Sequence, residues 1–229
     1  MDLSFFTERF RRQGTEARAA GQKAYMKSAL RFHGVTQPQI RAAAAELVRA
    51  HPQLDRARVK ALVNAAYASD WFDLRSAALA VLEKRRSLLT PADADWLIGL
   101  VRRSACWAHV DWLSTQILGW LCPPAAKLRR WGRDRDFWVQ RAAMLSLLPP
   151  LRQGEGDFEL FAEIAAPLVE EKEFFLRKAI GWILREVSKK RPRLTFDFLA
   201  QHRARVSGLT LREGARHLPP RLREQLLSM

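Results

Sequence analysis

The chain has 229 residues, of which 48% are hydrophobic and 28% charged; this predicts one domain over residues 1–229 and excludes a membrane-embedded bundle. The 39 Lys and Arg residues against 24 Asp and Glu residues leave a formal charge of +15, which favours nucleic acid or an acidic membrane surface as the partner. Most of the basic residues are Arg, an excess that codon usage in a GC-rich genome also produces. Two cysteines, Cys106 and Cys122, make neither a disulfide framework nor a zinc cluster.

The first residues, MDLSFFTERFRRQG, carry charges and no long apolar run, so we expect no signal peptide and a cytoplasmic location. The least charged stretch, residues 104–126, contains Asp111 and ends in Pro123-Pro124, so we expect no membrane-spanning helix there.

Helix start and stop signals follow one another along the chain. Thr36-Gln37-Pro38 and Thr90-Pro91 predict helix N-caps. The predicted breaks are Pro123-Pro124, Pro149-Pro150 and Pro219-Pro220, and the predicted loop is Gln153-Gly154-Glu155-Gly156. About a dozen helices of roughly 10 to 18 residues fit between these signals. Because Val, Ile and Thr are sparse and no period-two alternation occurs, the predicted fold class is all-α.

Four aromatic segments, each followed by a helix rich in Ala and Leu, indicate an internal repeat. They are Asp70-Trp71-Phe72, Ala105-Cys106-Trp107, Asp136-Phe137-Trp138 and Glu173-Phe174-Phe175. Their third positions are 35, 31 and 37 residues apart, which predicts a solenoid of helix pairs. An acidic residue opens three of the four segments, as helix N-termini prefer.

Three residues after each aromatic, the repeats carry a basic residue in three of four cases. The residues are Arg75, Val110, Arg141 and Lys178. Equivalent positions of a solenoid line one face, so the sequence predicts a basic row that cradles a phosphate backbone. Alternatively, each basic side chain extends over its own aromatic towards solvent.

One residue further on, three repeats have a small residue and the second has Asp111. The small residues are Ser76, Ala142 and Ala179. An isolated carboxylate at such a position either pairs with a distant cation or faces a groove. Trp107 lies one helical turn before Asp111, and together they are suited to bind a cation. Alternatively, Trp107 belongs to the core and Asp111 accepts a backbone hydrogen bond.

The common catalytic and cofactor motifs are missing from the sequence. It has no Gly-rich phosphate loop and no HExxH, CxxC or GxSxG pattern. His109 is expected to point away from Asp111, and the other four histidines lack the spacing of metal ligands. We therefore expect no cofactor and no metal.

Four longer strings carry a family resemblance. ACWAHVD, FWVQRAAML, EKEFFLRKAIGWILREV and AYMKSALRFHGVTQPQIR resemble the AlkD-type DNA alkylation-repair family over about residues 5 to 218. The resemblance implies a right-handed superhelical solenoid of HEAT-like helix pairs with a basic concave DNA-binding groove. It also implies a monomeric, monofunctional DNA glycosylase in the bacterial cytoplasm, associated with the nucleoid, that removes cationic N3- and N7-alkylated purines from double-stranded DNA.

By the same resemblance, Asp111 takes the catalytic acid position, and Trp107 and Trp182 match the two aromatics that flank the lesion. The implied DNA-binding residues are Tyr25, Lys27, Arg141, Trp138, Phe175, Lys178 and Arg185. An alkylated purine is already cationic and leaves easily, so the protein need only stabilise the oxocarbenium-like sugar and orient a water. Ala108, and the Pro pair and acids within residues 148–157, depart from the family pattern and put phosphate contacts near that segment in doubt.

Two other functions remain open from the sequence. One is a non-enzymatic binder of damaged or branched DNA on the same scaffold, and the other is an interaction scaffold for an acidic protein. Trp182 also has an alternative role as a core residue, since it stands seven residues after Phe175 on the same helical face.

Overall fold

The computed structural model describes residues 3–104 and 106–229, so Met1, Asp2 and Ala105 of the segments discussed above lie outside the described residues. About 75% of the chain is helical. Within the described ranges no β-strand occurs, and one isolated parallel bridge joins Arg31 to Trp71. The predicted all-α class is confirmed.

The chain divides into two compact units, Met1–Ile117 and Leu118–Met229. The helices of the first unit are α1 (Ser4–Gln13), α2 (Glu16–Met26), α3 (Gln37–Ala50), α4 (Arg56–Ala68), α5 (Phe72–Lys84), α6 (Ala94–Ser104) and α7 (Trp107–Trp112). A π-helical segment, Leu113–Leu118, follows α7. The helices of the second unit are α8 (Gly119–Leu121), α9 (Ala125–Gly132), α10 (Phe137–Leu145), α11 (Leu148–Arg152), α12 (Phe158–Ala165), α13 (Phe174–Ser188), α14 (Pro192–Gln201), α15 (Gly208–Gly214) and α16 (Pro220–Leu227). The assignment of residues 1–229 to one domain stays a prediction.

Both predicted N-caps are confirmed. Thr36 forms a capping box with Gln39 at the start of α3. Thr90 forms one with Asp93, although the first turn after it, Pro91–Asp93, is a 3-10 turn and α6 begins at Ala94.

The Pro pairs were expected as breaks, and each of them lies at a helix start. Pro124 is the N-cap of α9, Pro149 and Pro150 lie in the first turn of α11, and Pro220 opens α16. Because the first turn of a helix needs no backbone N–H donors, proline fits there. The chain therefore breaks before each Pro pair or within it, and a new helix begins there.

Each of the four aromatic segments leads into a helix, as predicted, but the N-cap shifts by one residue between the units. The N-cap is Trp71 before α5 and Cys106 before α7. Before α10 and α13 it is the acidic residue itself, Asp136 and Glu173, whose side chains accept from Trp138 N and Phe175 N. Asp70 precedes its N-cap, so among these four segments an acidic N-cap occurs only in the second unit.

Neighbouring helices within each unit pack in series. In the first unit, α3 and α4 pack on α5, and α5 packs on α7. In the second unit, α9 packs on α10, α10 on α13, and α13 on α15. In α5, residues 72–82 are all buried, and α13 contacts α10, α11, α14 and α15.

Candidate functional site

Helix α7 presents Trp107 and Asp111 on its partly exposed side. Both side chains are partly exposed, whereas His109 and Val110 between them are buried. The residues at the position of Asp111 in the other repeats, Ser76, Ala142 and Ala179, are all fully buried. Asp111 is therefore the exception in exposure as well as in chemistry.

The backbone changes geometry directly after Asp111. The π-helical segment Leu113–Leu118 begins two residues later, and the Thr115 hydroxyl donates to the carbonyl oxygen of Asp111 at 2.8 Å. π-helical turns are rare and occur frequently at functional sites. No sequence pattern predicted this π-helical segment.

Tyr25, at the end of α2, reaches the indole ring of Trp107. The two ring centroids are 5.8 Å apart at an interplanar angle of 77°, and Tyr25 is 70% exposed. This edge-to-face geometry is favourable for aromatic pairs. Lys27 follows in the left-handed region at φ 48° and is exposed. The structure thus brings Tyr25, Trp107 and the start of α7 together.

A small apolar cluster fixes the end of α2 against the start of α7. Its members are the buried residues Leu30, Phe32, Phe72 and Cys106 and, packed on them, the partly buried residues Ala19, Met26 and Ala108. Phe32 stacks on Phe72 with centroids 4.6 Å apart. Ala108, which departs from the family pattern, is one of these packing residues.

His109 anchors the buried side of α7. Its Nε2 atom lies 2.9 Å from the Ser76 hydroxyl, and its ring stacks on Phe72 at 4.3 Å. Burial, together with the nearby charge of Arg75, lowers the pKa of His109 to about 3. Its neutral ring therefore packs against α5, away from the exposed side of α7, as the sequence predicted.

Arg75 and Arg141, predicted to line an exposed basic row, are instead buried and bind backbone carbonyls. The Arg75 guanidinium is buried and donates to the carbonyl oxygens of Tyr67, Ser69 and Arg103, at 3.3, 2.8 and 3.0 Å. Arg141 is also buried, and its Nη1 atom donates to the carbonyl oxygen of Phe175. The Arg75 guanidinium caps carbonyls in the last turns of α4 and α6, which lack donors within their helices. Arg141 instead joins α10 to a carbonyl in the first turn of α13. A DNA contact by Arg141 stays a prediction.

In the second unit, aromatic rings gather at the N-termini of α10 and α13. Trp138 and Phe175 have centroids 4.7 Å apart, with Phe137 beside Trp138 and Phe174 beside Phe175. Phe174 is exposed, and the other three are partly exposed. Phe174 was not among the predicted site residues, although it lies in the string EKEFFLRKAIGWILREV.

Helix α13 holds the other predicted residues. Trp182 is partly exposed between the buried residues Gly181 and Ile183, so it is not a fully enclosed core residue. Lys178 and Arg185 both bind the carboxylate of Glu213 from α15, at 2.9 and 2.7 Å. The sequence did not indicate Glu213.

The segment that departs from the family pattern forms a short helix and a loop. After α11, Gly154 and Gly156 have φ values of 87° and 73°, which favour glycine, and the predicted loop is confirmed. Arg191 donates to the carbonyl oxygens of Glu155 and Gly156 at 2.5 and 3.3 Å. The loop is thus attached to the start of α14.

Over residues 3–104 and 106–229, none of the helices has the length and apolar character needed to cross a membrane. The same residues contain no group of three or more His, Cys, Asp or Glu side chains arranged to hold a metal ion.

Comparison with known proteins identifies the family. A family model described as DNA alkylation repair enzyme matches residues 6–218. The chain belongs to this family. Among solved structures, a predicted DNA alkylation repair enzyme from Enterococcus faecalis is similar, with a TM-score of 0.80 and 23% identity over 91% of this chain and 98% of that one. No curated protein matches the sequence.

Membership in the DNA alkylation repair family confirms the resemblance seen in the four sequence strings. The similar solved structure confirms the helical repeat fold. It follows that the chain has a role in the repair of alkylation damage and interacts with DNA.

Proposed function

We propose that the chain is a monofunctional DNA glycosylase that hydrolyses the N-glycosidic bond of cationic N3- and N7-alkylated purines in duplex DNA. The observation that carries this proposal is the exposed side of α7, where Asp111 lies one helical turn from Trp107 and Tyr25 packs against that indole ring. Family membership supports the repair role, and the geometry of α7 supports the reaction.

Asp111 would act through its negative charge. As the damaged purine leaves, positive charge develops on the deoxyribose, and a carboxylate fixed nearby stabilises that charge and orients the attacking water. The alkylated base leaves as a neutral purine, so no general acid is required. Partial exposure of Asp111 leaves its carboxylate accessible to a substrate.

Trp107 and Tyr25 would favour damaged over normal DNA. The face of an indole ring attracts cations, and an N7- or N3-alkylated purine carries positive charge that an undamaged purine lacks. Tyr25 fixes the orientation of the Trp107 ring by its edge-to-face contact. Selectivity would therefore follow from charge and from the weak glycosidic bond, without a deep pocket for a flipped base.

The net charge supports duplex DNA as the partner. A chain with a formal charge of +15 gains affinity for a phosphate backbone by releasing counterions, and this affinity falls steeply with salt. We further propose that the protein acts as a monomer in the cytoplasm, on nucleoid DNA, with neither a metal nor a cofactor.

The test is to incubate the protein with methylated duplex DNA, to identify the released bases by chromatography and to examine strand integrity by electrophoresis. The proposal predicts free 3-methyladenine and 7-methylguanine together with uncut abasic strands. DNA binding without base release would favour the non-enzymatic binder, and failure to bind duplex DNA would favour the protein scaffold.

A further inference from the structure

One face of α13 is shaped to receive a side chain from α15. Lys178, Gly181 and Arg185 lie three and seven residues apart, so they share this face. The Glu213 side chain lies over Gly181, where an added Cβ would stand 2.7 Å from the Cβ of Glu213. Only glycine at position 181 leaves room for Glu213 in its present place.

The Glu213 carboxylate joins two cations with separate oxygens. Lys178 Nζ lies 2.9 Å from Oε1, and Arg185 Nη1 lies 2.7 Å from Oε2. The hydrogen bond from Lys178, with the nearby charges of Arg185 and Arg216, holds the pKa of Glu213 below its usual range. The carboxylate therefore stays ionised and holds both cations in place.

Both cations keep donors for a further ligand. The side chains of Lys178 and Arg185 are 41% and 23% exposed, whereas that of Glu213 is 17% exposed. An ammonium has three N–H donors and a guanidinium has five, and the contact with Glu213 uses one from each group. Arg185 Nε also lies 3.6 Å from Glu186 Oε1, which limits its motion further.

We propose that Glu213, seated over Gly181, is a positioning residue that holds Lys178 and Arg185 as a preformed pair for one backbone phosphate of duplex DNA. Long Lys and Arg side chains lose rotamer freedom when they bind, and a pair already held in place loses less. The inference rests on the proposed function only in taking duplex DNA as the partner.

A purely electrostatic role for Glu213 predicts the opposite change in DNA affinity when its charge is removed. If the carboxylate only repelled phosphate, its neutralisation would tighten DNA binding, because the local charge becomes more positive. If it positions the two cations, neutralisation weakens binding despite the added positive charge. The direction of the change in affinity therefore decides between the two roles.

The first experiment measures binding of undamaged duplex DNA by Glu213→Gln across a salt series. We expect affinity to fall about threefold to tenfold and the salt slope to decrease by about 1, as for the loss of one phosphate contact. The matched control is Glu170→Gln, which removes the same charge from an exposed pair with Arg205 in the same unit. Binding by Glu213→Gln that equals or exceeds that of the control would overturn the inference.

The second experiment displaces Glu213 without changing any charge. Gly181→Ala should weaken duplex binding to a similar extent, because the new methyl group overlaps the Glu213 side chain. Gly99→Ala is the control, since no atom lies within 4 Å of its added Cβ. Circular dichroism melting checks that the variants fold, and if Gly181→Ala does not fold, the Glu213→Gln comparison decides alone.

Activity separates this inference from the proposed function. On methylated duplex DNA, Glu213→Gln should raise KM severalfold more than it lowers kcat. If the wild-type protein releases no bases, the proposed function fails, whatever the variants bind. If it releases bases and Glu213→Gln binds DNA as tightly as Glu170→Gln, only the role of Glu213 is wrong.

Discussion

Helices α5 and α7 occupy equivalent places in neighbouring repeats and pack against each other, yet they expose different amounts of their surface. Every residue of α5 from Phe72 to Leu82 is buried, including Asp73 and Arg75. In α7 only His109 and Val110 are buried, and Trp107 and Asp111 remain accessible. Equivalent helices of neighbouring repeats therefore differ in role: α5 belongs to the core, and α7 forms part of the candidate functional site.

The largest effect on stability is expected for Arg75→Ala, which changes the buried helix α5. Its buried guanidinium donates to the carbonyl oxygens of Tyr67, Ser69 and Arg103, the first in a buried contact and the other two in part-buried ones. Its loss removes these donors and should lower the free energy of unfolding by about 3 kcal/mol. Urea denaturation measures this change. Arg75→Lys should not restore stability, because one ammonium cannot reach three carbonyls in the same geometry. Full stability of Arg75→Ala would contradict the capping role.

Trp107→Ala should instead lower base excision more than it lowers stability. Because the ring is partly exposed, its removal should cost about 1 kcal/mol or less of stability. Loss of the cation-binding ring face should lower base excision about 10-fold to 100-fold. Parallel melting and single-turnover measurements check both values. A large loss of stability with little change in excision would instead assign Trp107 to the core.

The last prediction concerns the loss of stability in acid that the buried neutral ring of His109 causes. The folded pKa of about 3 lies below the usual value of 6.5, so between these values the unfolded chain binds a proton that the folded chain does not. Stability is therefore fully present above pH 6.5 and falls as the pH decreases. From pH 7 to pH 5 we expect a loss of about 1 to 2 kcal/mol in wild type.

His109→Gln should lose less stability over that range, as measured by urea denaturation at each pH. Equal pH dependence in the two proteins would show that His109 is not a neutral buried group.

Much of the fold could be read from the sequence because its signals are local. Thr36 and Thr90 marked helix starts through short-range capping. The aromatic segments likewise preceded helices. The one-residue shift of the N-cap escaped prediction because it depends on whether an acidic side chain accepts from the backbone N–H two residues further along the chain.

The candidate site was less predictable because its contacts join residues far apart in sequence. A basic residue looks the same in sequence whether it binds a phosphate, as expected for Arg75, or the carbonyl of the next helix, as observed. Glu213 pairs with Lys178 across 35 residues, which follows only once α15 is known to pack on α13. Asp111 was found because its charge breaks the repeat.

The most direct test of the central claim is the single-turnover rate of base release from duplex DNA containing 7-methylguanine, compared between wild type and Asp111→Asn. We expect this rate to fall at least about 100-fold in Asp111→Asn, while duplex binding and melting temperature stay close to wild type. Asp197→Asn, which removes an exposed carboxylate paired with Arg193, should change none of these quantities. Base release by Asp111→Asn within about threefold of wild type would show that the Asp111 carboxylate does not stabilise the transition state.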